Sequence, residues 1–289
     1  MRAIRYRTTL AALAWAILAG NVAGNACAGQ GAAPATLKIG LQSVIAPFVM
    51  PGQQTGLLVD VLRAAFATQH IATDFIYLPN VRFAQQLREG KVDVSTLAKP
   101  EYKQPGYLSH WPVTHFHNMA ITLRSRIPAL HHIDELRKYR VTGFGNARKV
   151  MGREYDAAMA KNPEYRESVT MPSAGLLLNR TDVLISQRDI FLYYLSQQMP
   201  QARSREGELA FHDILGPGNF YWLSFRSEAQ RDAFERGIAA LYASGEIDHI
   251  IERYQREFGT TRDFFLPLDC QFRPAEAPKA CKDIPKRRM

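Results

Sequence analysis

The chain has 289 residues, of which 46% are hydrophobic and 22% charged, and its 36 Lys and Arg against 27 Asp and Glu give a formal net charge of +9. Those proportions exclude a disordered chain and a polytopic membrane protein, and the length fits one large domain or two ordinary ones. Most of the charge sits at the two ends. Arg2, Arg5 and Arg7 open the chain, and residues 279 to 289 add a net +4, so the body is near +2. A protein that coats nucleic acid carries its basic charge as a stripe on the folded domain, so that partner is not expected.

In chain order, the first feature is a basic segment, an apolar run from Leu10 to Gly20, and small residues to Ala28. This is the pattern of a signal peptide over residues 1–28, with Ala26-Cys27-Ala28 as the cleavage site. The run is shorter than the roughly 20 residues a transmembrane helix needs. A retained anchor and lipidation at Cys27 are the alternatives, and Gly24 stands where a lipidation signal usually has Leu. With Cys27 removed, Cys270 and Cys281 remain. Such a pair in an exported chain predicts a disulfide closing a short loop, contributing about 2–3 kcal/mol; two free thiols are the alternative. No Cys/His quartet exists for a structural metal.

Leu37 to Leu41 alternates as a strand, and Pro47-Phe48 and Pro51-Gly52 mark a loop. Leu58, Val61, Leu62, Ala65 and Phe66 fall on one helical face after Gly56. Phe75 to Tyr77 reads as a strand, Arg82 to Glu89 as a helix stopped by Gly90, and Lys91 to Ala98 as a third strand. This order predicts an α/β layer with a largely parallel sheet. A long extended stretch, Val113 to Leu123, leads to a second unit. There Val141 to Gly145 runs as a strand into a turn, and Asn146 is placed to cap a helix carrying Val150, Met151, Tyr155, Ala158 and Met159. Asp182 to Ile185 and Tyr221 to Phe225 are further strands. Ser227 and Gln230 form a capping box for a helix ended by Ser244-Gly245, and Ile247, Ile250, Ile251, Tyr254 and Phe258 line the next.

Several short segments then carry a resemblance. They are Ile39-Gly40 with Pro47-Phe48, Gly56 to Leu62 with Asp60, Leu87 to Val94 with Gly90-Lys91 and Asp93, Pro100-Glu101, Trp111-Pro112, and Phe234 to Tyr254. In this order and spacing, from about 37 to 258, the chain resembles the periplasmic solute-binding proteins of polar amino-acid uptake, solute-binding family 3. The resemblance implies an α/β, periplasmic binding protein-like type II fold: two α/β lobes with a hinge. Lobe 1 would span 37–118 plus 220–262, lobe 2 123–215, and a C-terminal tail 263–289. It also implies a periplasmic protein that captures a small polar solute for an inner-membrane ABC-type transporter. The alternative is a sensory or accessory protein of the same fold whose partner is another protein. A monomer without cofactor or metal is expected.

The chain departs from the family at both charged anchors. The family's Arg after Pro-Glu is here Tyr102-Lys103, and its Asp in the second lobe is Gln187, followed by Arg188. A buried ammonium or carboxylate without a partner costs several kcal/mol, so an ordinary α-amino acid is disfavoured as ligand. The expected ligand-binding residues are Phe48, Arg82, Ser95, Thr96, Lys99, Asn146, Arg148 and Gln187. Arg82, Arg148 and Arg188 together would suit an anionic group, because Arg offers paired donors. His115 and His117 share a strand face without a neighbouring carboxylate or Cys in sequence, so hinge packing is expected rather than metal binding. No G-x-S-x-G, H-E-x-x-H or P-loop pattern is present, and Glu101 is an isolated carboxylate, which points away from an enzyme.

Overall fold

A computed structural model describes residues 36–43, 45–276 and 279–285. The predicted signal segment, Cys27 included, lies outside them.

The chain enters through β1 (Leu37–Leu41), α1 (Leu57–Ala67), β2 (Thr73–Tyr77), α2 (Phe83–Arg88), β3 (Val94–Ala98), β4 (Tyr107–Leu108) and β5 (Thr114–Phe116). After the single residue His117 it continues as β6 (Asn118–Leu123), β7 (Val141–Phe144), α3 (Ala147–Val150), α4 (Arg153–Ala160), β8 (Tyr165–Ser168), α5 (Ala174–Leu177), β9 (Val183–Gln187), α6 (Arg188–Gln198) and β10 (Leu209–His212). It then returns through β11 (Asn219–Phe225), α7 (Glu228–Ser244), α8 (Glu246–Phe258) and α9 (Leu266–Phe272).

Two sheets result. In the first lobe the order is β2-β1-β3-β11-β4, with β5 also on β11; β1 is parallel to both neighbours and β11 is antiparallel to β3. In the second the order is β10-β6-β9-β7-β8, with β7 parallel to β8 and β9. β9 is buried along its whole length, as befits an apolar strand covered on both faces. α1, α7 and α8 pack together beside the first sheet, where Phe66, Phe225, Phe234, Ile251 and Tyr254 are buried. α7 approaches α1 so closely that a Cβ at Gly237 would lie 2.1 Å from the Ala65 carbonyl oxygen. The capping box is formed as the sequence predicts. Ser227 Oγ accepts from the Gln230 N–H at 3.3 Å, and Gln230 Oε1 accepts from the Ser227 N–H at 3.1 Å.

Much of the sequence that carries the resemblance ties elements to one another within a lobe. Asp60 Oδ2 accepts from the Tyr254 hydroxyl at 2.7 Å, and the same hydroxyl accepts from the Gly56 N–H at 3.0 Å, which ties α1 to α8. Asp93 accepts from the Lys38 N–H at 3.0 Å and pairs with Arg226 at 2.7 Å. Its counterpart in the second lobe, Asp182, accepts from the Arg140 N–H at 3.0 Å and pairs with Arg140 and Arg126 at 2.8 and 3.1 Å. In each lobe, then, an Asp just ahead of a central strand is tied to the neighbouring strand's first residues. The Arg140 and Arg126 charges hold the Asp182 carboxyl below the usual carboxylate range, with the Arg140 hydrogen bond the largest cause.

One helix differs from its reading in the sequence. Asn146 sits in the left-handed region at φ 66°, and its side chain caps nothing. The helical stretch after it breaks into α3 and α4 at Gly152, whose φ is +90°. Two helix-breaking conformations in seven residues override the apolar periodicity there.

The chain crosses between the lobes at His117 and again at 213–218, where Gly216 and Gly218 have φ of +83° and +85°. His115 Nε2 lies 2.8 Å from the Pro217 carbonyl oxygen, and His117 Nε2 lies 2.9 Å from Asp213 Oδ1, so the histidines stitch the two crossings together. Among the described residues there is no cluster of three or more groups suited to a metal ion. The Cys270–Cys281 disulfide is formed, and the buried Phe264 and Phe265 pack into the core.

Candidate ligand cleft

Strand direction fixes where a ligand can enter. β6 starts at Asn118, opposite Gln187 at the C-terminal end of β9, and β11 starts at Asn219, beyond the C-terminal end of β3. Both crossings therefore leave from the ends at which the parallel strands finish. The C-terminal ends of β1, β2 and β3, and those of β7, β8 and β9, thus lie on the side of each sheet from which the crossings leave. Such ends are where α/β sheets take ligands. The strands farthest from the crossings are β2 and β8, so the loops after them form the two outer lips. Val81 and Val169 stand on those lips, 82% and 85% exposed.

On the first lobe Lys99 follows β3 directly. Its side chain is only 15% exposed; Nζ donates to Asn219 Oδ1 at 2.8 Å and lies over the rings of Tyr221 and Tyr102 at 5.0 and 5.6 Å. The nearest carboxylate is the exposed Glu101, at 3.9 Å. Burial lowers the Lys99 pKa, and the Glu101 charge offsets this only in part. Burial likewise raises the Tyr221 hydroxyl pKa. A half-buried ammonium among rings and an amide lacks a full counter-charge, so it is suited to receive an anion. Arg82, on the lip beside Val81, is exposed, and its guanidinium has no partner among the described residues.

The second lobe's edge is arranged differently. The Asn146 and Arg148 N–H groups donate to Glu167 Oε2 and Oε1 at 2.8 and 2.9 Å, and Tyr165 adds its hydroxyl to Oε1 at 3.0 Å. The N–H groups of this turn thus already hold a carboxylate from the chain itself. The Arg148 side chain pairs with Asp156 at 2.6 Å. Gln187 caps α6, its Oε1 accepting from the Ile190 N–H at 3.0 Å. Arg188 pairs with Asp189 at 3.1 Å and with Glu206.

Of the eight expected ligand residues, Lys99 and Arg82 lie just beyond the C-terminal ends of β3 and β2 and carry charge without a close carboxylate partner. Asn146, Arg148 and Gln187 lie at the corresponding ends of the second lobe's strands β7 and β9, with their polar groups engaged internally. Three are corrections. Phe48 is fully buried, its ring stacked on Phe264 at 3.8 Å, because the loop after β1 folds into the core rather than over the cleft. Ser95 is fully buried within the sheet. Thr96 is buried too, its hydroxyl donating to the Gly40 carbonyl at 2.9 Å. Lys103, in the place of the family's Arg, is exposed in a left-handed turn at φ 47°. Sequence reasoning missed Asn219 and Glu167: a lone Asn opening a strand and a Glu on an edge strand carry no local signal. Two concavities, of about 230 and 680 Å³, are lined only by second-lobe residues, the larger by Arg148, Lys149, Arg153, Arg166, Asp156 and Glu167 among others.

No known family profile matches the chain. No curated protein matches it either. Solved structures do. The GluR0 ligand-binding core complexed with L-glutamate superposes with a TM-score of 0.59 at 18% identity, covering 76% of this chain and 98% of that one. A histidine kinase sensor domain with similarity to periplasmic binding proteins gives 0.58 at 16% identity, covering 76% and 95%. An ABC uptake transporter substrate-binding protein from Streptococcus pneumoniae with bound histidine gives 0.57 at 17%, covering 80% and 94%. These likenesses establish the fold expected from the sequence, α/β and periplasmic binding protein-like, with two sheets and a hinge.

Proposed function

We propose that the chain is a divergent member of solute-binding family 3, exported to the periplasm, that captures a small anionic or carboxylate-bearing solute between its lobes and presents it to an ABC-type transporter. Its work is selective binding without catalysis, by a monomer that needs no cofactor. One observation carries the reading. Lys99 is a half-buried ammonium at the meeting edge of the lobes, held by Asn219 and two rings and short of counter-charge. An anion arriving there regains for the ammonium the interaction that burial removed. An ordinary α-amino acid is disfavoured, since the second lobe offers Gln187, already engaged as a cap, where the family holds the ammonium.

The test is thermal unfolding of the mature protein, refolded from denaturant to strip carried-over ligand, against amino acids, dicarboxylates, sulfonates and polyamines. A ligand at 100 times its dissociation constant adds about 2.7 kcal/mol, a shift of several degrees at this size. A shift with one anionic class supports the reading, and a shift with ordinary α-amino acids overturns the ligand assignment.

A second reading keeps the fold and makes the chain a periplasmic sensory or accessory protein whose partner is another protein. The self-filled edge of the second lobe favours it, and so does the likeness to a sensor domain. No shift with any compound would move the weight to that reading.

A further inference from the structure

Beyond the two crossings, a third stretch of chain spans the hinge. It is the segment after α8, and it bonds to both lobes. Toward the second lobe, the Thr261 N–H and hydroxyl both donate to Asp189 Oδ2 at the start of α6, at 2.8 and 3.0 Å. The Gly259 carbonyl accepts from Arg188 Nη1 at 3.4 Å, and Tyr193 of α6 meets Phe258 edge-on at 5.4 Å between centroids. Toward the first lobe, Arg262 donates to Asp248 of α8 at 2.7 Å and to Asp269 at 2.8 Å. Asp269 in turn accepts from the Tyr242 hydroxyl of α7 at 2.8 Å, and Arg273 holds Asp248 at 2.8 and 2.7 Å. Between these anchorages the segment touches the hinge itself. The Asp263 carbonyl oxygen lies 3.3 Å from His115 Nδ1, and Phe264 stacks on Phe48 and meets Phe116 edge-on at 5.3 Å.

We propose that residues 259–273 are a hinge strap that limits how far the lobes open. The two crossings alone would be a loose joint, one of them a single residue and the other six residues with two positive-φ glycines. The strap adds a tie at a different point. It is fixed to α7 and α8 by ion pairs and to α6 by the doubly bonded, buried Asp189 carboxylate. Phe264 and Phe265 belong to one apolar cluster with Phe48 of the first lobe and with Ile190, Phe191 and Leu195 of the second. Opening the lobes must pull Thr261 from Asp189 and shear this cluster. Packed contacts of this kind hold discrete arrangements rather than deforming continuously.

The experiment reads the angle directly and needs no ligand. Spin labels on Val81→Cys and Val169→Cys, the exposed lip positions, report the distance between lobes by pulsed electron resonance. It is measured in the parent, in Thr261→Val and in Asp189→Ala, each confirmed folded by its melting curve. The proposal expects the distance distribution to broaden and lengthen in Thr261→Val, and further in Asp189→Ala. Distributions that superimpose on the parent, or that shorten, overturn it. Thr261→Val removes one hydroxyl at a part-buried site, so it decides alone if Asp189→Ala does not fold. A failure here leaves the ligand reading untouched, because neither position contacts Lys99.

Discussion

The two facing edges of the cleft are built from the same parts, strand ends running into turns, yet they dispose of charge in opposite ways. The first lobe leaves Lys99 half-buried with a neutral amide, two rings and only the distant, exposed Glu101 at 3.9 Å, and leaves Arg82 without a partner among the described residues. The second lobe gives each charged or donor group named at its edge an internal answer: Glu167 for the turn N–H groups, Asp156 for Arg148, Glu206 and Asp189 for Arg188. The difference teaches which side selects. On the proposed reading, a charged group on the ligand would be recognised by the first lobe, and the second would contribute shape and neutral polar contacts.

Four predictions sharpen or break that contrast. The largest effect is expected at Phe48, which belongs to the first lobe's core and not to its edge. Phe48→Ala should cost about 3–5 kcal/mol of stability in denaturant unfolding, yet leave the affinity of the folded protein within a few-fold of the parent. A selective loss of binding would return Phe48 to the cleft. Next, Lys99→Met should abolish the ligand-induced stabilisation of about 2.7 kcal/mol, while Arg148→Ala leaves it nearly intact. Equal losses would show that both lobes carry the anion. Third, Glu167→Ala should destabilise the protein by about 1 kcal/mol through the lost hydrogen bonds of an exposed group, seen as a lowered melting temperature. No change would mean that the second lobe's turn does not depend on its internal carboxylate.

The smallest effect is with pH. Burial is the main cause lowering the His115 and His212 pKa values below the usual histidine value. His212 is held neutral by geometry as well: Nδ1 accepts from the Leu130 N–H at 3.2 Å, so Nε2 carries the proton toward the Thr122 hydroxyl at 2.8 Å. With both folded pKa values depressed, the stability these residues contribute is present above about pH 6.5 and is lost as the pH falls through the folded values. His115→Gln and His212→Gln should each flatten the melting-temperature profile below pH 6.5. An unchanged slope in both would contradict the assignment.

How much of this was legible in the sequence follows from how local each signal is. The capping box at Ser227 and Gln230, the helix over Leu58 to Phe66 and the α8 stripe are set by neighbours three and four residues apart, and all are present. The fold was legible for a related reason. Asp60 and Asp93, which lie in the segments that carry the resemblance, and Asp182 pin strands and helices to one another in this chain. That same role made them poor guides to the ligand. Phe48 was misread because nothing in the sequence announces Phe264, more than two hundred residues later, as its stacking partner. Glu167 filling the turn at Asn146 is likewise a contact through space between adjacent strands. Lys99 is singled out in the sequence because it immediately follows a strand expected to end at the cleft, whereas Asn219, Tyr221 and Tyr102, which give it its surroundings, come from two other segments.

The central claim is that the Lys99 ammonium is short of counter-charge until a ligand arrives, and its titration tests this most directly. The resonances of ¹³C-labelled lysine at Cε, assigned by their loss in Lys99→Met, give the pKa with and without an anionic ligand. The account predicts a value below the usual lysine value of 10.5 in the free protein, rising when the anion binds. A Lys99 that titrates at the ordinary value and ignores every anion would contradict it.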